Sequence, residues 1–312
     1  MDALSIGIDV SKDTLDVAAH SRSIAPFQVA RTHKGIADLV GFLKPLNVRL
    51  VVLEATGGFE TIVAAGLAGA GLPVAVVNPA RVRNFAIADN QRAKTDRLDA
   101  LVLAKFAEKM DPPVRPLSDD ETRALGDLVT RRQQITEMIS AEQQRLKRAS
   151  GRAAKSMERL LKALQKELDD LNTDIDERIR KSPAWTEKVD LLKSVPGVGD
   201  QIARVLIADL PELGTLDRRK IAALAGLAPW ARQSGKWRGK TFIGGGRASV
   251  RRALFMGAMV AARYNPQLAK FRDSLVKVGK PKLVALIAVA RKLLTMLNAI
   301  IRDKQPWRDQ TT

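Results

Sequence analysis

The chain has 312 residues, 46% of them hydrophobic but only 4% aromatic, so its core is built from Leu, Val, Ile and Ala and is large enough for two domains with a connector. It contains no cysteine and only two histidines, His20 and His33, which excludes disulfides, thiolate catalysis and zinc–thiolate sites and argues against a Ser-His-Asp triad or a histidine-held metal. The net charge of +18 is concentrated: residues 1–110 carry 13 basic against 11 acidic side chains, residues 111–214 carry 18 against 19, and residues 215–312 carry 21 against 4, so the last third reads as a contact surface for DNA or RNA.

The N-terminus, MDALSIGIDV, carries acids where a signal peptide carries bases. The longest uncharged run, Thr61 to Ala80, is interrupted by three glycines and two prolines and does not read as a membrane span. The expectation is a cytoplasmic protein with no membrane partner. Residues 4–10 (LSIGIDV), 14–19 (TLDVAA) and 26–32 (PFQVART) are short apolar runs between turn residues and predict three antiparallel strands. A helix follows over 35–46, then a buried strand over 49–53 (RLVVL), a helix over 60–70, a strand over 73–77, and helical sequence to about Met110. Three strands followed by alternating helix and strand is the order of an RNase H-like α/β domain.

Asp111-Pro112-Pro113 and Pro116 mark a boundary. Beyond it Met157, Leu161, Leu164, Leu168, Leu171 and Ile175 step by four and three, a coiled-coil seam. Leu125, Leu128, Ile135, Ile139 and Leu146 mark the helix before it, and a turn near Ala149-Ser150-Gly151 predicts an antiparallel helical hairpin. Residues 188–312 read as mostly helical, with glycine-rich breaks at 197–199 and 244–246. The resulting division is 1–112, an acidic domain; 113–185, a coiled-coil connector; and 186–312, a basic α-helical domain.

Two groups of residues carry chemistry. Asp9 ends the first strand and Glu54 follows the strand RLVVL, while Asp96 and Asp99 lie three apart on a predicted helix and face the same way. If that helix lies beside the sheet, the four carboxylates converge on a site suited to a hard cation such as Mg2+. Taken singly, each has a plainer reading: Asp9 as a turn residue, Glu54 as a helix cap, Asp96 as a first-turn acid behind the cap Thr95, Asp99 as a partner of Lys94 or Arg97. In the last third, Ser234 is flanked by Arg232, Lys236, Arg238 and Lys240, with Gly244–Gly246, Arg247 and Arg251 beyond. Such positive charge suits either a serine that attacks a phosphodiester or one that merely hydrogen-bonds a phosphate, and Ser249 shares the neighbourhood. Gly197 and Gly199, in Val195-Pro196-Gly197-Val198-Gly199 before a helix, fit a phosphate-binding hairpin and an ordinary helix–helix turn equally well.

Four segments carry a family resemblance: Ile8–Lys12, Glu54–Gly58, Asn78–Glu108 with its Ala93-Lys94-Thr95-Asp96-x-x-Asp99-Ala100, and Ser194–Pro266. They resemble the insertion-sequence "one-ten" transposases, the DEDD transposases, whose relatives include pilin-gene invertases. Phe59 and Gln233 stand where other polar or aromatic residues are expected. The resemblance implies a RuvC-like N-terminal domain, a coiled coil and a C-terminal transposase domain. It implies that Asp9, Glu54, Asp96 and Asp99 hold Mg2+ and that Ser234 forms a phosphoserine link to DNA, which separates it from Ser249. It further implies guidance by a structured bridge RNA that pairs with donor and target DNA. Dimers would assemble into tetramers in which one subunit's acidic domain joins another's serine domain. Two other readings compete. A RuvC-like structure-specific nuclease would hydrolyse DNA with the carboxylates alone, and a nucleic-acid-binding protein with a decayed acidic site would cut nothing.

Overall fold

The structure, a computed structural model, describes residues 3–20, 24–91, 95–114, 120–235 and 237–308. The chain divides into two compact units, residues 1–117 and 118–312. The first unit runs β1 (Leu4–Val10), β2 (Thr14–Ala19), β3 (Phe27–Ala30), α1 (His33–Leu43), β4 (Val48–Glu54), α2 (Phe59–Gly69), β5 (Val74–Val77), α3 (Pro79–Ala88) and α4 (Asp96–Met110). Its five strands lie in the order β3-β2-β1-β4-β5. The first three pair antiparallel, and β1–β4 and β4–β5 pair parallel.

Alternation along the strands sorts side chains to two faces. Ile6, Ile8 and Val10 of β1 join Val51 and Leu53 of β4 in a core with Ile36, Leu39 and Leu43 of α1 and Val63, Ala64 and Leu67 of α2. Leu50 and Val52 of β4 turn the other way, into a second core with Val82 and Ala86 of α3 and Leu103 and Phe106 of α4. Ser5, Gly7 and Asp9 therefore share the face covered by α4. The mixed α/β character expected for this half is observed. His20 and His33 are both exposed, as read from the sequence.

The second unit opens with two long helices, α5 (Asp120–Leu146) and α6 (Gly151–Lys181), joined by a short turn. They pack through Ile135, Ile139, Leu164 and Leu171, supported by Leu128, Leu161 and Leu168, four of which belong to the predicted seam. Nearer the root, Leu125, Val129, Ile175 and Ile179 enter the same core as the helices that follow. Those are α7 (Pro183–Lys193), α8 (Asp200–Asp209), α9 (Arg218–Leu224), α10 (Ala248–Tyr264), α11 (Pro266–Lys277) and α12 (Lys282–Asp303). Helix α12 is long and apolar enough to cross a membrane by composition, but Val289, Ala290, Leu293, Leu294 and Leu297 are fully buried within this core.

Residues 188–312 are mostly helical, as read from the sequence, with one exception. Between α9 and α10 lies an antiparallel hairpin, β6 (Trp230–Ser234) and β7 (Trp237–Phe242). Trp230 pairs with Phe242 across the strands, with ring centroids 6.1 Å apart. Gly235, at φ +54, allows the two-residue turn that closes it.

Candidate active site

Helix α4 crosses β1 at close range because β1 carries glycine at its centre. A Cβ at Gly7 would lie 2.2 Å from the Ala100 carbonyl oxygen and 2.3 Å from the Ala104 nitrogen. On the same strand face, Ser5 Oγ donates to the Glu108 carboxylate at 2.7 Å. Arg49 donates to Ser5 Oγ at 2.9 Å, to the Ala107 carbonyl at 2.8 Å and to Asp111 at 2.6 Å, which fastens the far end of α4 to the sheet. Along this face Ser5 meets α4 at Glu108, Gly7 at Ala100 and Ala104, and Asp9 at Asp96 and Asp99.

The consequence is a carboxylate cluster at the C-terminal end of β1. Asp9, Asp96 and Asp99 each offer an oxygen, and these oxygens lie within 4.8 Å of one another. Asp96 and Asp99 occupy the first turn of α4, whose cap Thr95 accepts from the Leu98 nitrogen. Glu54 ends β4 one register step beyond the Ile8–Leu53 pair, on the same face as Asp9. It stands outside the group of three at that spacing, although its charge reaches Asp9. Burial and the charges of Asp99, Asp96, Glu54 and Asp16, in that order, push the Asp9 carboxyl up to about 6.

Asp16 was not singled out in the sequence. It pairs directly with Asp9 across β1–β2, is buried, and accepts a hydrogen bond from Gln28 at 3.0 Å. Gln28, Asp16, Asp9 and Glu54 form a polar row across four neighbouring strands. Its signal in the sequence was an Asp inside an otherwise apolar strand. Gly7 was equally legible, since a glycine within a strand often marks close approach by another backbone. Glu60 is a third omission: its carboxylate accepts from the Thr56 and Gly58 nitrogens at 3.0 and 2.9 Å and fixes the turn after Glu54.

In the second unit Ser234 is exposed at the tip of the hairpin, paired with Trp237 across the turn. Lys236 and the side chains of Arg232, Arg238 and Lys240 lie outside the described residues, as does Lys94 in the first unit. Ser249 sits in the first turn of α10 and lines a 1070 Å³ groove between α5, α8 and α10. The two serines thus occupy different surroundings.

The base of the hairpin is clamped. A Cβ at Gly246 would lie 2.4 Å from the Gly226 nitrogen, so the turn after α9 and the loop before α10 interlock. Arg247 forms a two-pronged pair with Glu212, one contact at 2.7 Å, and donates to the Asp209 carbonyl at 3.0 Å. Arg251 donates to the Gly245 carbonyl at 2.5 Å. The sequence suggested these two arginines as nucleic-acid contacts; here both are engaged in internal ties. Gly197 also has a structural reason to be glycine, because at φ +103 its Cβ would lie 2.6 Å from the Ala261 nitrogen of α10. Gly199 caps α8, whose first turn carries the protein's own acid, Asp200, paired with Lys193 at 2.6 Å.

The chain matches the family model of IS110-type DEDD transposases over residues 6–149 and that of the transposase IS116/IS110/IS902 family over residues 189–273. It is 28% identical over 320 residues to a pilin gene-inverting protein of Moraxella bovis, covering 98% of each chain, and equally identical to one of Moraxella lacunata. It is 31% identical over 161 residues to an uncharacterized 42 kDa protein of the insertion element IS900 of Mycobacterium paratuberculosis, covering 48% of this chain and 37% of that one. The two family matches lie in the two halves of the chain and cover well over half of it, and the chain belongs to the IS110 family of transposases, enzymes of DNA recombination.

Proposed function

We propose that this transposase cuts and rejoins DNA through a phosphoserine at Ser234, with Asp9, Glu54, Asp96 and Asp99 holding Mg2+ in an RNase H-like (RuvC-like) domain. The observation that carries the reading is the meeting of three carboxylates beside the end of β1. An uncompensated acidic cluster repels a phosphodiester, so a DNA-cutting site of this composition requires a cation between acid and substrate. The donor set fits: carboxylate oxygens, the ligands a hard divalent ion takes. Bound there, the ion would neutralise charge on the phosphate as the oxygens exchange.

The chain's own residues do the rest. Ser234 Oγ forms the bond to phosphorus as one strand oxygen leaves, the serine proton is lost, and the leaving oxygen is protonated. The energy of the phosphodiester is kept in the serine ester, so the strand can be rejoined to another without external fuel. Arg232, Lys236, Arg238 and Lys240 supply positive charge around the crowded phosphate. The acids belong to one compact unit and the serine to the other. In this reading residues 1–112 hold the metal, the coiled coil of 113–185 associates subunits, and residues 186–312 carry the nucleophile. Dimers assemble to tetramers that join the halves from different subunits, and a bridge RNA selects donor and target DNA.

The test mixes the protein with Mg2+, RNA transcribed from the element's flank, and donor and target duplexes, and looks for a covalent protein–DNA adduct on a denaturing gel. Wild type and Ser249→Ala form it; Ser234→Ala and Asp96→Ala do not. All four carboxylates belong to a unit that lacks Ser234, which favours metal-dependent hydrolysis as the second reading. Cutting without an adduct, undiminished in Ser234→Ala, establishes that reading instead.

A further inference from the structure

Phe59 is a large apolar side chain left 41% exposed at the start of α2, while Val63, Ala64 and Leu67 of the same helix are buried. The Arg31 guanidinium lies over its ring, 4.8 Å from the centroid. Arg31 follows β3 and Phe59 follows β4, and the order β3-β2-β1-β4 places two strands between them. Three strand spacings amount to about 14 Å, so the contact is an arch over the ends of β2 and β1. Arg31 Nε donates to the Lys12 carbonyl at 2.7 Å on the way, in the turn directly after Asp9-Val10-Ser11. The Phe59 end is fixed as well, because the Glu60 carboxylate binds the Thr56 and Gly58 nitrogens.

The arch therefore stands at the same end of the sheet as Asp9 and Glu54, at the edge of the face that α1 and α2 cover, with an exposed ring held by a cation. Burial does not account for it. An exposed aromatic beside a site that handles a nucleic-acid strand is suited to stacking, and every base offers a π-face. Cation–π contact with Arg31 fixes the ring and keeps positive charge next to the strand. We propose that Phe59, braced by Arg31, is the stacking platform for a DNA base adjoining the phosphate presented to Asp9, Asp96 and Asp99. Phe59 touches substrate in this assignment, and Arg31 is a positioning residue. The assignment rests on the acidic cluster being the cutting site.

The experiment uses the full-length protein and a single-stranded oligothymidylate with one 5-iododeoxyuridine, a base that cross-links under ultraviolet light to an aromatic ring stacked on it. Peptide mapping is expected to find the adduct on Phe59, several-fold weaker in Arg31→Ala. In the cutting reaction, Phe59→Leu is expected to raise KM for DNA roughly tenfold, with Phe59→Trp restoring it and Mg2+ affinity by calorimetry unaltered in both. A merely structural role would lower stability and not be rescued by Trp. Adducts mapping only elsewhere, adducts formed with iodouridine RNA but not with DNA, or a Phe59→Leu variant with wild-type KM overturn the proposal. Cutting undiminished in Asp9→Asn refutes the acidic cutting site on which the assignment rests, whereas normal cutting dependence on Asp9 with no adduct on Phe59 refutes the platform alone.

Discussion

Replacing Asp9 by Asn should make the metal-free protein more stable while abolishing its response to Mg2+. The Asp9 carboxyl is raised from 3.8 to about 6 by burial and by Asp99, Asp96, Glu54 and Asp16. A raised carboxylate favours the unfolded chain once that chain has lost its proton. The cost is therefore absent below about pH 3.8, grows as pH rises to about 6, and is constant above. At full value the shift corresponds to about 3 kcal/mol. Asp9 is only partly buried, so solvent screening reduces it to about 1–2 kcal/mol. A neutral isostere removes that repulsion, and for a unit of this size the melting temperature in EDTA should rise by roughly 4–10 °C at pH 7.5. Mg2+ should stabilise wild type by occupying the cluster and leave Asp9→Asn unmoved. Thermal unfolding of both proteins, with EDTA and with millimolar Mg2+, reads all four values. A lower melting temperature for Asp9→Asn in EDTA, or an Mg2+ increment equal to that of wild type, would falsify the repulsive-cluster reasoning.

Mg2+ affinity should climb between pH 5 and 7 as Asp9 gives up its proton near 6, and level off above; a flat calorimetric titration series across that range contradicts it. Gly7→Ala should destabilise the first unit by about 1–3 kcal/mol and weaken Mg2+ binding, because α4 must lift from β1; urea unfolding and calorimetry measure both, and wild-type values would show that α4 does not depend on this approach. Arg247→Ala should cost about 1.5–3 kcal/mol through loss of its charged hydrogen bonds to Glu212, an effect visible in urea unfolding of protein without DNA; reduced DNA binding at unchanged stability would return Arg247 to the nucleic-acid surface. Ser234→Ala should unfold within about 0.5 kcal/mol of wild type, since the hydroxyl is exposed, yet form no covalent adduct on a denaturing gel; an adduct of wild-type yield moves the nucleophile elsewhere.

Much of the first unit was legible because its strands carry unmistakable apolar runs, and because Asp9 and Glu54 each follow one. Gly7 signals a close backbone approach in β1, but not which element makes it; that α4 is the partner emerges only in the fold. Asp16 carries a signal, an acid inside an apolar strand, but its pairing with Asp9 depends on the β1–β2 register. The hairpin bearing Ser234 was missed for a different reason. WARQS and WRGKTF alternate poorly, and their glycines read as loop, although a Gly-led two-residue turn between aromatic-flanked segments was the available clue. Arg247 has a tie that the sequence does not show: Glu212 lies 35 residues before it and becomes its partner only when the turn after α9 interlocks with the loop before α10.

The paired helices α5 and α6 have a mechanical implication. Their root is part of the C-terminal core through Leu125, Val129, Ile175 and Ile179, and Arg204 of α8 grips Asp176 there at 2.6 Å. Their far end is packed only on itself among the described residues, through Ile139 and Leu164. A helix of 27 residues is about 40 Å long. A rotation of 10° at the root thus sweeps the tip through about 7 Å. The pair is a long arm rooted in the unit that carries Ser234, so a small change of angle at its root becomes a large displacement at its tip.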